Sequence, residues 1–183
     1  MIRVQAAYAL AGVVFAAIAV FSAFDRANRK RWNNTAFWGL FALSFLAGDA
    51  LGDFGNGVLV IAMVGIGAVG GVGVTKPATT TIPEREASAA LWGNRLFLPI
   101  LIVPLAALVG TLALPAIEVA GAPLVDPGQV TVISMAFGAI LALAVALAML
   151  RPAAAAAPQE ARRLMDSVGW AAILPQLLAA LGA

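Results

Sequence analysis

The sequence lacks two residue types that carry much of protein chemistry. Among its 183 residues there is no cysteine and no histidine. A chain without cysteine forms no disulfide and offers no thiolate nucleophile, and a chain without histidine has no imidazole base or imidazole metal ligand. Charged residues are also scarce, at 11% of the sequence, whereas soluble domains carry roughly a quarter. We therefore expect no enzyme, no catalytic residues and no metal site.

Apolar residues dominate the composition. They make up 62% of the chain, and the mean hydropathy is +0.97, which is more apolar surface than a soluble core of this size can bury. The length allows five or six membrane spans of about 20 residues and leaves no room for a separate soluble domain. The net charge of +2 comes from cations in short loops, so we attribute it to membrane topology and expect no nucleic-acid partner.

Five apolar runs predict transmembrane helices, over residues 5–24, 35–51, 57–74, 96–114 and 130–150. The last run, residues 168–183, is shorter and is interrupted by Pro175 and Gln176, which predicts a broken or re-entrant half-span with Ser167 as its N-cap. The expected fold class is therefore all-α, a polytopic membrane helical bundle forming a single domain over residues 1–183. A signal peptide is the alternative for the first run, but it would carry the following basic cluster across the membrane.

The basic cluster sets the predicted direction of every span. Short loops rich in Lys and Arg stay on the cytoplasmic side of a membrane. The cluster consists of Arg26, Arg29, Lys30 and Arg31. When the runs alternate from this anchor, ten of the eleven cations fall in inside loops and only Arg3 lies outside. The sequence thus predicts a multi-pass protein with its N-terminus outside.

A glycine-rich stretch in the third run matches a cofactor motif by letter only. Residues 65–70 read G-I-G-A-V-G, the GxGxxG pattern of dinucleotide-binding folds. Because the pattern lies inside a run long enough to span a bilayer, we expect no cofactor. Gly67 and Gly71 are four residues apart, with Gly70 beside them, and small residues at this spacing allow a neighbouring helix to approach closely. We interpret them as helix-packing residues.

A second stripe of small residues lies on the fifth run. Ser134, Gly138 and Ala142 follow one another at four-residue spacing. No histidine or lysine lies near Ser134 in the sequence, so a nucleophilic role has no activating base. Helix packing is the interpretation we adopt for these residues as well.

Two polar features are candidates for a transport site. Asp49 and Asp53 are four residues apart and would share a helix face if the second span extends that far; they are either a coupling site or two solvated carboxylates at the outer mouth. Pro175 and Gln176 place a helix break and an amide at membrane depth, which predicts either a substrate site or an ordinary kinked span. Because the chain stops within apolar sequence, we expect it to be the front part of a longer protein.

The sequence also resembles a known family. The resemblance covers the whole chain and is carried by residues 35–40 (TAFWGL), Gly48 with Asp49, residues 70–73 (GGVG) and the closing stretch 169–183. The chain is similar to bacterial inner-membrane proteins that are regarded as one of the two subunits of an oxoproline (pyroglutamate) transporter. The family offers no ligand residues to carry over to this chain.

The resemblance implies a permease subunit in the bacterial inner membrane, taking up pyroglutamate or a related small carboxylate. The expected partners are the lipid bilayer and a second membrane subunit or further copies of the chain. The alternative is a membrane scaffold or assembly partner that transports nothing. An intramembrane enzyme is disfavoured because the spans hold no acid and base pair.

Overall fold

The computed structural model describes residues 2–74, 80–119, 121–153, 155–174 and 178. In that part of the chain almost all regular structure is α-helical. The helices are α1 (Gln5–Phe24), α2 (Arg31–Val69), α3 (Ile82–Trp92), α4 (Leu98–Ala113), α5 (Val130–Leu150) and α6 (Ala156–Val168). Two short strands, β1 (Glu118–Val119) and β2 (Ala122–Pro123), pair antiparallel. The predicted all-α fold class is confirmed.

Within the described residues, four helical stretches are long and apolar enough to cross a membrane, by length and composition. They are α1, α2, α5 and the stretch Ile82–Ala116, which contains α3, a 3₁₀ turn at Gly93–Phe97 and α4. Their outward surfaces are apolar, as in a protein surrounded by lipid rather than water. The protein is therefore a helical membrane protein.

Helix α2 is a hairpin rather than a straight rod. Its 39 residues would extend about 58 Å if straight. Gly52, however, has φ 61° and ψ −174°, a conformation that essentially only glycine adopts. The side-chain amide of Asn33 donates to the Gly71 carbonyl at 3.3 Å, so residues at the start and just past the end of α2 are neighbours. The two limbs overlap the predicted second and third spans, and the count of five spans stays a prediction.

The chain divides into two compact units, and one of the boundaries between them falls within α1. The first unit comprises Met1–Leu10 and Thr80–Ala153, and the second comprises Ala11–Thr79 and Ala154–Ala183. Each unit has its own buried cluster of apolar side chains.

An aromatic cluster forms the centre of the second unit. Phe37, Phe41 and Phe45 lie one helical turn apart on α2, so they project from one face. Phe15 of α1 stacks on Trp38, with ring centroids 5.7 Å apart and an interplanar angle of 6°. Trp38 and Phe37 are fully buried. This cluster packs α1 onto the first limb of α2.

The first unit is built on the antiparallel pair α4 and α5. Val125, Val130 and Ile133 form its buried cluster. The start of the chain joins this unit because the Ile2 amide donates to the Leu124 carbonyl at 2.7 Å. Thr81 caps α3 in a capping box with Glu84.

Helix α6 occupies a stretch that the sequence analysis assigned to a loop. Good helix formers such as Gln159, Glu160 and Arg162 outweigh Pro158, which the first turn tolerates. The expected cap is also wrong: Ser167 lies in the last turn of α6, where its hydroxyl donates to the Leu164 carbonyl at 2.6 Å. Gly169, with φ 60°, follows the end of the helix.

Candidate functional site

The structure describes one of the two transport sites predicted from the sequence and does not describe the other. Pro175 and Gln176 lie outside the described residues. Asp49 and Asp53 are exposed and flank Gly52, where α2 reverses. Because a non-helical residue separates them, they do not lie on one continuous helix face, as an extended second span would have required.

An asparagine holds the reversal of α2 together. The Asn56 amide nitrogen donates to the Gly48 carbonyl at 2.8 Å and to the Gly52 carbonyl at 3.0 Å. The Ser44 hydroxyl reaches Asn56 Oδ1 at 3.4 Å. Carbonyls freed by a helix break need a donor when no water reaches them, and the Asn56 side chain supplies it.

The small-residue stripe of α5 lies against α4. A Cβ added to Gly138 would stand 2.7 Å from Ala106 Cβ and 3.3 Å from the backbone of Val103. One turn earlier on α5, the Ser134 side chain occupies the space beside Gly110, and its hydroxyl donates to the Val130 carbonyl at 2.6 Å. The helices therefore approach closely through Gly138 and Gly110. Ala142, further along the stripe, is half-buried.

Gly70 and Gly71, at the end of the third predicted span, lie against polar side chains. Gly67 lies in the last turn of α2, but Gly70 and Gly71 follow the end of the helix, and Gly71 has φ 63°. The expected helical stripe of Gly67 and Gly71 therefore stops at the end of α2. The space beside Gly70 is filled by the side chain of Asn33.

Asparagine amides join the two ends of α2. Asn34 is completely buried; its Nδ2 donates to the Gly73 carbonyl at 2.7 Å and its Oδ1 accepts the Gly73 amide at 2.7 Å. The reciprocal pair copies the hydrogen bonding of two strands in a sheet. Asn28 adds a longer contact to the same carbonyl at 3.5 Å. Because these amides satisfy backbone groups beyond the end of α2, this end of the hairpin is held closed.

The predicted topology cations lie mostly in solvent. Arg26, Arg29 and Lys30 are exposed, and Arg31 is half-buried, with its guanidinium carbon 5.1 Å from the ring centroid of Trp32. This arrangement fits a solvated loop at a membrane surface, with one cation resting on an interfacial aromatic ring.

Two charged residues of α6 are buried against α1 and α2. Arg162 is 6% exposed and Asp166 is 1% exposed. Asp166 Oδ1 accepts a hydrogen bond from the indole nitrogen of Trp38 at 2.9 Å. Arg162 Nη1 donates to the Phe21 carbonyl in the last turn of α1 at 2.8 Å and lies 3.4 Å from Asp25 Oδ2. Buried charges are costly and are retained where they are paired or functional.

This group of four side chains, Asp25, Arg162, Asp166 and Trp38, is the candidate functional site, and we call it the α6 cluster. A cation at the carboxyl end of α1 is favourable because that end carries partial negative charge. The sequence pattern did not predict this cluster, because Arg162 resembles the other cations of the predicted inside loops. The signal was the four-residue spacing of Arg162 and Asp166, which places opposite charges on one face of a helix.

The first unit contains a different kind of cavity. A groove of about 750 Å³ runs between the start of α1, α4 and α5. Nearly all of its lining is apolar; Ser134 contributes a hydroxyl that already donates to a backbone carbonyl. A free carboxylate would lose its hydration there without gaining a partner. The groove therefore suits an apolar occupant.

Comparison with known proteins gives a family but no activity. No curated protein and no solved structure matches the chain. A family model described as a protein of unknown function, DUF979, matches residues 5–183. Since the match covers nearly the whole sequence, the chain belongs to the DUF979 family.

Proposed function

We propose that the chain is a subunit of a bacterial inner-membrane permease that takes up pyroglutamate or a related small carboxylate, together with a second membrane subunit. The observation that carries this proposal is the burial of Arg162 and Asp166, at 6% and 1% exposure, in a helical membrane protein. Burying an ionisable side chain is expensive, so such side chains are kept where they are paired or functional. An arginine is also well suited to bind a carboxylate, because its planar fork matches the two oxygens.

The break in α2 adds support from a second element. Transporters often use interrupted helices whose freed backbone groups face the substrate or a coupling ion. Here the break at Gly52 is accompanied by Asn56, Asp49 and Asp53. A second interruption, predicted at Pro175 and Gln176, supports the same function from the sequence.

The proposed orientation places the N-terminus outside and the α6 cluster at the cytoplasmic end. Within the second unit, Asp25, the segment Gly70–Gly73 and α6 lie together with the basic loop. Their shared end supports one cytoplasmic face. The cysteine-free sequence makes the test direct, because a single introduced thiol has no background. With a membrane-impermeant thiol reagent applied to intact cells, Asp53→Cys is expected to react and Arg29→Cys to react only after lysis.

A non-transporting scaffold is the second candidate. Two observations favour it. In the stretch Ile82–Ala116, no residue of the most apolar 18-residue segment is buried, and the first unit has an open apolar groove. Such surfaces fit another membrane protein as well as lipid. This candidate predicts stable binding to a partner without movement of any solute.

Uptake of labelled pyroglutamate separates the two candidates. The assay uses bacterial cells without a route of their own and compares the chain alone, the companion subunit alone and both together. We expect uptake only when both are present. Arg162→Gln is expected to abolish it, and the matched control Arg163→Gln, which changes an exposed arginine paired with Glu160, is expected to leave it intact. Verified membrane insertion with no uptake in any combination would favour the scaffold.

A further inference from the structure

Arg162 is buried with an incomplete set of partners. Its Nη1 makes one hydrogen bond, to the Phe21 carbonyl, and its contact with Asp25 Oδ2 at 3.4 Å lacks hydrogen-bond geometry. Among the described residues, Arg162 Nε and Asp25 Oδ2 are both buried without a hydrogen-bond partner. Buried polar atoms are nearly always paired, so each exception in a folded protein calls for an explanation.

The unpaired atom lies on the edge of the guanidinium that best binds a carboxylate. Arginine binds carboxylates through two parallel N–H groups, and Nε supplies one of them on the side edge of the fork. Asp25 does not use that edge, because it approaches Nη1 instead. The present ion pair therefore leaves unused a donor that a two-oxygen ligand would engage.

Asp25 is positioned so that it can be replaced. It follows the end of α1, in the connection to α2, and its Oδ1 accepts the amide of Ala27 at 3.1 Å. Arg162, in contrast, lies on a helix that is held by the bond between Asp166 and Trp38. A loop carboxylate moves away at lower cost than a packed helix, since fewer contacts are lost.

The charge around the cluster favours an anion. The segments 25–31 and 160–166 together contain six cations and three carboxylates. An approaching carboxylate is drawn to this excess of positive charge. A displaced Asp25 would remain close to Arg26 and Arg29 in the same loop.

We propose that Arg162 is the binding residue for the carboxylate group of the substrate, and that Asp25 is an internal carboxylate that occupies its place when no ligand is bound. This inference rests on the proposed function for the identity of the ligand. The inference identifies Arg162 as the residue that recognises the acid group and Asp25 as the residue that competes with the substrate for Arg162. It predicts opposite effects for changes to the two partners of one ion pair.

The test is equilibrium binding of labelled pyroglutamate to the full chain in lipid nanodiscs. Asp25→Asn removes the competing charge and is expected to tighten binding about tenfold, because the ligand carboxylate then meets a buried guanidinium that no internal carboxylate occupies. Arg162→Gln is expected to abolish binding, and Arg162→Lys to weaken it, since an ammonium cannot form the fork. Arg163→Gln is the matched control and is expected to bind like the unmodified chain. Competition by 2-pyrrolidone, which lacks the carboxyl group, is expected to fail, and acetate is expected to compete.

The result that overturns the proposal is equal or weaker binding in Asp25→Asn, or binding that persists in Arg162→Gln. No binding in the unmodified chain and in Asp25→Asn overturns it as well. Should Arg162→Gln not fold, Asp25→Asn still decides, because a purely structural ion pair predicts weaker binding in that variant and the proposal predicts tighter binding. Arg162-dependent carboxylate binding without cellular uptake would leave this inference standing and refute the permease. Cellular uptake that does not change when Asp25 or Arg162 is replaced would support the permease and refute this inference.

Discussion

Trp38 and Asp166 are joined by a hydrogen bond of 2.9 Å across 128 positions of sequence. The indole of Trp38 is completely buried in the aromatic cluster, and its one polar atom reaches a carboxylate that is 1% exposed. Tryptophan that is buried usually finds a partner for its N–H, and here the partner attaches α6 to α2. The contact therefore helps to fix the helix that carries Arg162.

Removal of that donor is expected to destabilise the second unit. Trp38→Phe keeps an aromatic ring but takes a hydrogen bond from a buried carboxylate, at a cost of about 1–3 kcal/mol. The matched control is Trp32→Phe, at a site 63% exposed, with an expected loss below about 1 kcal/mol. Denaturation in mixed micelles measures both. Equal stability of the two variants would contradict the role given to the Trp38 hydrogen bond.

The contact between α4 and α5 predicts a graded response to added methyl groups. Gly138→Ala pushes a Cβ against Ala106 and the Val103 backbone, which cannot rotate away, so we expect a loss of about 1–3 kcal/mol. Gly110→Ala meets the side chain of Ser134 instead and is expected to cost less.

The control for both changes is Gly65→Ala. Nothing lies within 4 Å of the added methyl at that position, and alanine favours the helix, so stability is expected to rise by up to about 1 kcal/mol. The same denaturation experiment ranks all three variants. An unchanged stability of Gly138→Ala would contradict the close approach of α4 and α5 at Gly138.

The reversal of α2 predicts a cross-link that a straight helix forbids. Cysteines in place of Asn33 and Gly71 are expected to be joined by a short bifunctional thiol reagent, because the Asn33 amide lies 3.3 Å from the Gly71 carbonyl. A straight helix would separate these positions by roughly 57 Å. The first limb, from Asn33 to the reversal at Gly52, is about 28 Å long. The control pair replaces Asn33 and Phe54, which lies just beyond that reversal, and is not expected to join.

Gly52 is expected to be irreplaceable at the reversal. Its φ of 61° and ψ of −174° strain any residue with a side chain, so Gly52→Ala should cost about 1–3 kcal/mol. Gly57→Ala, also in α2 and with nothing within 4 Å of the added methyl, should be neutral or stabilising. Thermal denaturation of the purified variants compares them, and matched losses would argue against a special backbone at Gly52.

The cap of α3, which precedes the predicted span 96–114, predicts a dependence on pH. The Glu84 carboxylate accepts two hydrogen bonds from Thr81, one from its backbone amide at 2.7 Å and one from its hydroxyl at 2.9 Å. These bonds lower the pKa of Glu84. A lowered pKa in the folded state stabilises the cap above the ordinary glutamate pKa of about 4 and loses that contribution as the pH falls through the lowered value. A spin label at Ala87→Cys is expected to become more mobile on acidification.

The control variants for the spin-label experiment lie in the same helix. Glu84→Gln keeps a capping side chain without a charge, so its label mobility is expected not to change with pH. Glu86→Gln, which alters a carboxylate outside the cap, should behave like the parent chain. A parent chain whose label ignores pH would contradict the role assigned to Glu84.

The sequence alone determined the class of molecule and much of the helix placement. The apolar runs at residues 5–24 and 130–150 coincide with α1 and α5, because each is long, uniformly apolar and bounded by polar residues. Such patterns depend only on local composition and on the need to satisfy the backbone within lipid. The stripe of small residues that includes Ser134 and Gly138 is likewise evident from the sequence.

Only the tertiary structure decided where the charged residues of α6 lie. Arg162 looked like one of ten topology cations, since a loop count treats every cation alike. Its burial follows from the docking of α6 beside α1 and α2, through Phe21, Asp25 and Trp38, residues 128 or more positions away in sequence. The closed end of α2 depends in the same way on Asn34 reaching Gly73. Contacts across such distances have no local pattern, because they depend on which helix faces meet after folding.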